Sequence, residues 1–172
     1  MKNYQLLLIA LLSFSSCSQE TRTAKTVAPH DSVAKGNNED TAKKMLYATM
    51  QIKDTIKTGE VVQLKFTVYN AADSVQQFCK WHTPFEPLMS KYLEVKDESG
   101  EEAAYLGAMA RRMMPPPESS YIKVNLKDSL SADVDLLKAY GITKPSKYTI
   151  TYVGQNMSGL EVKKSVSFVY VK

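Results

Sequence analysis

From Leu46 onward, apolar and polar residues alternate with a period of two, and this constrains the chain more than any other feature. Leu46, Ala48, Met50 and Ile52 alternate with Tyr47, Thr49, Gln51 and Lys53. Val62, Leu64, Phe66 and Val68 alternate with Gln63, Lys65, Thr67 and Tyr69. A strand turns successive side chains to opposite faces, so a half-buried antiparallel strand demands this pattern, whereas a helix would repeat its apolar positions every 3.6 residues. Between these runs Thr58-Gly59-Glu60 reads as a turn, and Asn70-Ala71-Ala72-Asp73-Ser74 as the next.

The same rhythm continues to the last residues. Val75 to Trp81 reads as a third strand. Lys91 to Lys96 reads as a fourth, closed by Asp97-Glu98-Ser99-Gly100, and Ala103 to Ala108 as a fifth. Ile122, Val124 and Leu126 mark a sixth, Val134 and Leu136 a short seventh, and Tyr148, Ile150 and Tyr152 an eighth. Val166, Phe168 and Tyr170 mark a ninth after a turn at Gln155-Asn156-Met157-Ser158-Gly159. One helical turn is expected over Asp135-Leu136-Leu137-Lys138-Ala139-Tyr140, stopped by Gly141. Short strands with turn signals between them predict an all-β, antiparallel, immunoglobulin-like β-sandwich over residues 45–172.

The first 44 residues are of another kind. Met1-Lys2-Asn3 is a short positive start, and Leu6 to Leu12 is an apolar run too short to span a bilayer. Phe14-Ser15-Ser16-Cys17 then places small residues directly before a cysteine. This junction resembles the lipobox of bacterial lipoproteins, which implies a signal peptide over 1–16, cleavage before Cys17 and acylation at Cys17. Two or more acyl chains anchor a protein stably where one does not. The expected partner of this end is therefore a membrane, and the expected location is the bacterial cell envelope, at the outer membrane, on its periplasmic face or the cell surface. Residues 17–44 are rich in Thr, Ser, Ala, Asn, Lys and Glu and read as the lipidated cysteine with a flexible linker, since such a segment buries too little apolar surface to offset its ordering entropy.

No residue set in the sequence assembles a catalytic pattern. The histidines are His30 and His82, and the His-Glu-x-x-His helix of zinc peptidases is absent. There is no Gly-x-Ser-x-Gly elbow, and the seven glycines stand singly, so no phosphate loop is expected. With Cys17 acylated, Cys79 has no disulfide partner and is expected to be a buried thiol. The net charge of +4, with no basic cluster interleaved with aromatics, excludes a nucleic-acid surface. The expectation is a protein that is not an enzyme and carries no cofactor and no metal.

Two segments depart from the background: Lys80-Trp81-His82-Thr83-Pro84-Phe85-Glu86, and Tyr105-Leu106-Gly107-Ala108-Met109-Ala110-Arg111-Arg112-Met113-Met114-Pro115-Pro116-Pro117. The first reads either as a strand end with a core Trp and a Pro turn or as part of a binding surface. The second reads either as an edge strand blunted by charge and proline or as a preordered segment that docks on a partner. Candidate partner-binding residues are Tyr105, Met109, Arg111, Arg112, Met113 and Pro115, with Trp81 and His82. Arg111 and Arg112 are expected to be exposed, far from the core.

These two segments belong to an ordered set. They are joined by Tyr92-Leu93-Glu94-Val95, by Leu130-Ser131-Ala132-Asp133-Val134-Asp135-Leu136 with Ala139-Tyr140, and by Pro145-Ser146-Lys147-Tyr148-Thr149-Ile150 with Tyr152. In this order and spacing the set resembles the N-terminal β-domain, the propeptide, of bacterial deuterolysin-type (aspzincin) zinc endopeptidases, over residues 46 to 155. In that family a catalytic domain with the His-Glu-x-x-His helix follows the β-domain. No such helix is present in these residues, so no catalytic residue carries over. The resemblance implies a free-standing module that binds, inhibits or assists the folding of a secreted metallopeptidase. The competing expectation is a generic immunoglobulin-like adhesion or structural module on the cell surface.

Overall fold

The computed structural model describes residues 45–172; the expected signal peptide, the expected lipidation at Cys17 and the expected linker lie outside the described residues. Among the described residues nine strands form: β1 (Leu46–Ile52), β2 (Thr55–Lys57), β3 (Gln63–Asn70), β4 (Gln76–Cys79), β5 (Leu93–Lys96), β6 (Tyr121–Val124), β7 (Ser129–Asp135), β8 (Ser146–Tyr152) and β9 (Val166–Val171). One sheet has the order β1-β3-β7, a second β2-β9-β8-β5, and β4 pairs with β6 apart from both. All pairings are antiparallel except β2 with β9.

The alternation explains how the two larger sheets meet. Register brings Met50 opposite Phe66 and Ile52 opposite Leu64 on β1–β3, and Leu64 opposite Val134 on β3–β7. Leu64, Phe66 and Val68 of the first sheet and Leu93, Val95, Ile150 and Phe168 of the second are buried in one core. The Phe66 and Tyr152 rings meet across it at 5.2 Å. Each fully buried Leu, Ile or Phe contributes about 1.5–3 kcal/mol. On the opposite face Lys65 and Asp133, register partners across β3 and β7, are exposed.

The strand order is that of an immunoglobulin-like sandwich. β1-β3-β7 corresponds to strands A, B and E of such a domain, and β5-β8-β9 to C, F and G. The first strand changes sheets: after Ile52 the chain crosses over, and β2 adds to β9 in parallel. Tyr148, early in β8, donates its hydroxyl to the Lys144 carbonyl at 2.9 Å, the tyrosine corner of these domains. Asn70 closes β3: its buried amide donates to the carbonyls of Ser74, Val124 and Asn125, and its oxygen accepts from Ala72 N–H.

Three sequence expectations are corrected here. The strand expected over Ala103–Ala108 does not form; that stretch makes one isolated bridge, at Tyr105 with Tyr140, just after another at Glu102 with Lys96. Leu126 lies outside β6 and is exposed. β7 runs seven residues rather than being a short strand at Val134. The expected helical turn is present as a 3-10 turn over Leu136–Lys138, with the Asp135 carboxylate accepting from Leu137 N–H at its start. Cys79 is a buried free thiol.

Candidate functional site

One end of the sandwich is built from the two unusual segments, packed on each other. The first is a turn held by Thr83, whose buried hydroxyl donates to the Lys80 carbonyl at 2.6 Å and accepts from Phe85 N–H. His82 sits in this turn at φ +59, the left-handed region. Its carbonyl accepts the Tyr152 hydroxyl at 3.0 Å, and a Cβ on Gly154 would collide with that carbonyl, so this approach requires glycine there. Burial holds the His82 imidazole below its ordinary pKa; the neighbouring Glu86 charge opposes that and Arg112 reinforces it.

Glu86 is the centre of this end. Both carboxylate oxygens accept from Arg112 Nη2 at 2.7 Å, and Oε1 also accepts from His82 N–H at 3.0 Å and from Ser90 Oγ at 3.2 Å. The carboxylate side chain is 4% exposed and the arginine 16%. The Arg112 guanidinium lies 4.7 Å from the centroid of the buried Trp81 ring. A cation over a desolvated indole and on a hydrogen-bonded carboxylate is held by charge and packing together. Arg112 Nε and the Tyr92 hydroxyl are buried without a hydrogen-bond partner among the described residues. Desolvation, then the neighbouring Tyr140, pushes the Tyr92 phenol well above its ordinary pKa.

The second segment is a strap over residues 103–117. Hydrogen bonds pin it along its inner side: Ala103 N–H to Val95, Leu106 N–H to Ala139, Ala108 N–H to Leu88 and Ala110 N–H to Met89, with Arg112 on Glu86 next. Tyr105 folds back over Gly107, where a Cβ would collide with the ring, and donates its hydroxyl to the Ala108 carbonyl. The ring also meets Tyr140 edge-on at 5.4 Å. The outer side is bare: Met113 is 84% exposed, Met109 72%, Met114 67% and Leu106 66%, with Met89 of the adjoining loop at 39%. These five exposed apolar side chains stand on, or beside, a backbone held from within.

The structure thus divides the expected partner-binding residues. Trp81, His82, Tyr105 and Arg112 face the protein and position the strap; Met109, Arg111, Met113 and Pro115 are exposed on it. The expectation that both arginines are exposed and remote from the core is corrected: Arg111 is exposed, but Arg112 turns inward because Glu86 and Trp81 offer it a charge and a face. Glu86, Ser90, Met89, Leu106 and Met114 were not among the expected residues. The signal for Glu86 was a lone carboxylate between prolines in an otherwise apolar stretch, Pro84-Phe85-Glu86-Pro87-Leu88-Met89. Among the described residues, no three His, Cys, Asp or Glu side chains gather as a metal site.

No protein-family model matches the chain, and no curated protein matches it. Among solved structures, the alkylpurine DNA glycosylase AlkC of Pseudomonas fluorescens, bound to DNA containing an abasic site analog, aligns at 10% identity and a TM-score of 0.40. That alignment covers 74% of this chain and 31% of the glycosylase, so the chain spans less than a third of that protein. A CARDB domain from Pyrococcus furiosus, in complex with di-metal ions, aligns at 10% identity and a TM-score of 0.39, over 73% of this chain and 92% of that domain. The DNA of the first and the metal ions of the second belong to those proteins.

Proposed function

We propose that this chain is a non-catalytic lipoprotein, anchored to a bacterial envelope membrane through Cys17, whose β-sandwich docks on a secreted metallopeptidase of the deuterolysin type. Docking holds the peptidase inactive or assists its folding. The observation that carries this reading is the strap: an apolar row of Leu106, Met109, Met113 and Met114 faces outward on a backbone pinned from within. A segment ordered before binding loses less entropy on docking than a mobile one. The family resemblance supplies the class of partner, and its quoted residues Tyr105, Gly107 and Arg112 are the ones that shape the strap. The competing reading, an immunoglobulin-like adhesion or structural module, is favoured by the strand order alone and gives the apolar row no role.

The test is binding and inhibition of a purified deuterolysin-type peptidase from the producing organism. Met109→Asp with Met113→Asp should weaken binding by at least about tenfold, since a few central contacts dominate interfaces. The unfolding midpoint should hold, because both side chains are in water. Equal affinity of variant and wild type overturns docking through the strap. In the same preparation, Cys17→Ala should abolish fatty-acid incorporation and detergent-phase partitioning; unchanged labelling overturns the anchor.

A further inference from the structure

We propose that Met89, Met109, Met113 and Met114 form an oxidation-responsive modification site, which switches the outer face of the strap between apolar and polar while the sandwich stays folded. The switch itself stands on the geometry below; its consequence, release of a docked peptidase, rests on the docking reading.

Four of the eight methionines of the chain are exposed on the strap or on the loop it is bonded to: Met109, Met113 and Met114 on the strap, and Met89, whose carbonyl accepts Ala110 N–H, on the loop. Their exposures run from 39% to 84%, whereas Met50, between the sheets, is 5% exposed. A peroxide reaches the first set from solvent and is excluded from the second. In the reaction the thioether sulfur attacks one peroxide oxygen; the O–O bond breaks, an S–O bond forms, and the departing hydroxide takes the proton from the transferred oxygen. Sulfur is oxidised by two electrons and hydrogen peroxide is reduced to water. The sulfoxide is polar where the thioether is apolar, and methionine sulfoxide reductases, one for each epimer, reverse the change.

The strap is built so that this chemistry leaves the fold alone. It is pinned by oxygen and nitrogen: Ala108 N–H on Leu88, Ala110 N–H on Met89 and Arg112 on Glu86. No side-chain sulfur of these four residues takes part in a hydrogen bond or belongs to the buried core. Oxidation therefore changes what the surface offers a partner without removing what holds the surface in place. Thioethers are soft, adaptable contact groups, and three of them on the strap with a fourth on the adjoining loop concentrate the loss.

The experiment uses the full chain, hydrogen peroxide and peptide mass mapping. Met45, at the head of β1 and 42% exposed, is an internal standard away from the strap. The four strap methionines should convert with Met45, at least about tenfold faster than Met50. The unfolding midpoint should stay within about 2 °C, well inside the shift a 1 kcal/mol loss produces. Retention on a hydrophobic-interaction resin should fall, and recover on treatment with both reductases. A variant carrying Met89→Leu, Met109→Leu, Met113→Leu and Met114→Leu should keep its retention in peroxide. Oxidation of Met50 in step with the strap, melting of the fold, or equal loss of retention by the leucine variant would overturn the proposal. Peptidase binding separates the two readings. Wild type that binds equally well after complete strap oxidation overturns the switch and leaves docking in place. Unoxidised wild type that binds no peptidase ends docking, and the switch is then judged on mapping, midpoint and retention.

Discussion

In the body of the sandwich, Leu64, Phe66 and Ile150 lie between the sheets with no exposure, while Lys65 and Asp133 face water. At the strap end the assignment is reversed: a carboxylate and a guanidinium lie inside, and Met109, Met113 and Met114 lie outside. The body is held by apolar area, a non-directional force that tolerates exchange among shapes of similar volume. The strap is held by directional bonds that specify one position of the backbone. Met109, Met113 and Met114 take no part in those bonds and stand in water. Two ways of holding a chain in place thus coexist within one small domain, and under the docking proposal they separate stability from recognition.

The largest expected effect belongs to the body. Phe66→Ala should cost about 3–5 kcal/mol, because the cavity opens in the middle of both sheets. Urea unfolding measures it, and a loss below about 1 kcal/mol would show that the core collapses around the gap, weakening the contrast with the strap.

Next come the adjacent arginines. Arg112→Ala leaves the Glu86 carboxylate buried without its counter-charge and should cost about 3 kcal/mol, as breaking one side of a buried pair does. Arg111→Ala should unfold like wild type. If the two variants prove alike, the strap is not held from inside. Tyr148→Phe, which removes only the corner bond to the Lys144 carbonyl, should cost about 1 kcal/mol.

The smallest effect is a pH slope. Burial lowers the His82 pKa from 6.5 in the folded protein, so on acidification the unfolded chain takes up this proton first. Stability should therefore be flat in this group above pH 6.5 and fall as pH drops from 6.5 through the lowered folded value. His82→Asn, a residue that tolerates the left-handed backbone at this position, should flatten that part of the slope. An unchanged slope in the variant would place the titration elsewhere and leave the Glu86 network without a titrating neighbour on this loop.

The sequence by itself determined the architecture where the period of two runs unbroken. β1, β3, β8 and β9 lie where the alternations from Leu46, Val62, Tyr148 and Val166 place them, with Val62 itself just before β3, and the helical turn after Asp135 lies where expected. Periodicity reports which face of a local element is buried, and that is a property of neighbours in the chain. What tertiary structure decided is pairing between distant residues. β2 is three residues long, and only the presence of β9 beside it makes it a strand. Ala103 to Ala108 looks like a strand and becomes a strap, because its hydrogen bonds go to Val95, Ala139 and Leu88 in turn rather than to one partner. Arg111 and Arg112 are the same residue type, side by side, and no local rule separates them. Glu86 lies 26 positions away from Arg112, and it sends one inward and leaves the other in water. A charge is stable inside only where an opposite charge and hydrogen bonds already wait for it, and that condition is met in space, not along the chain.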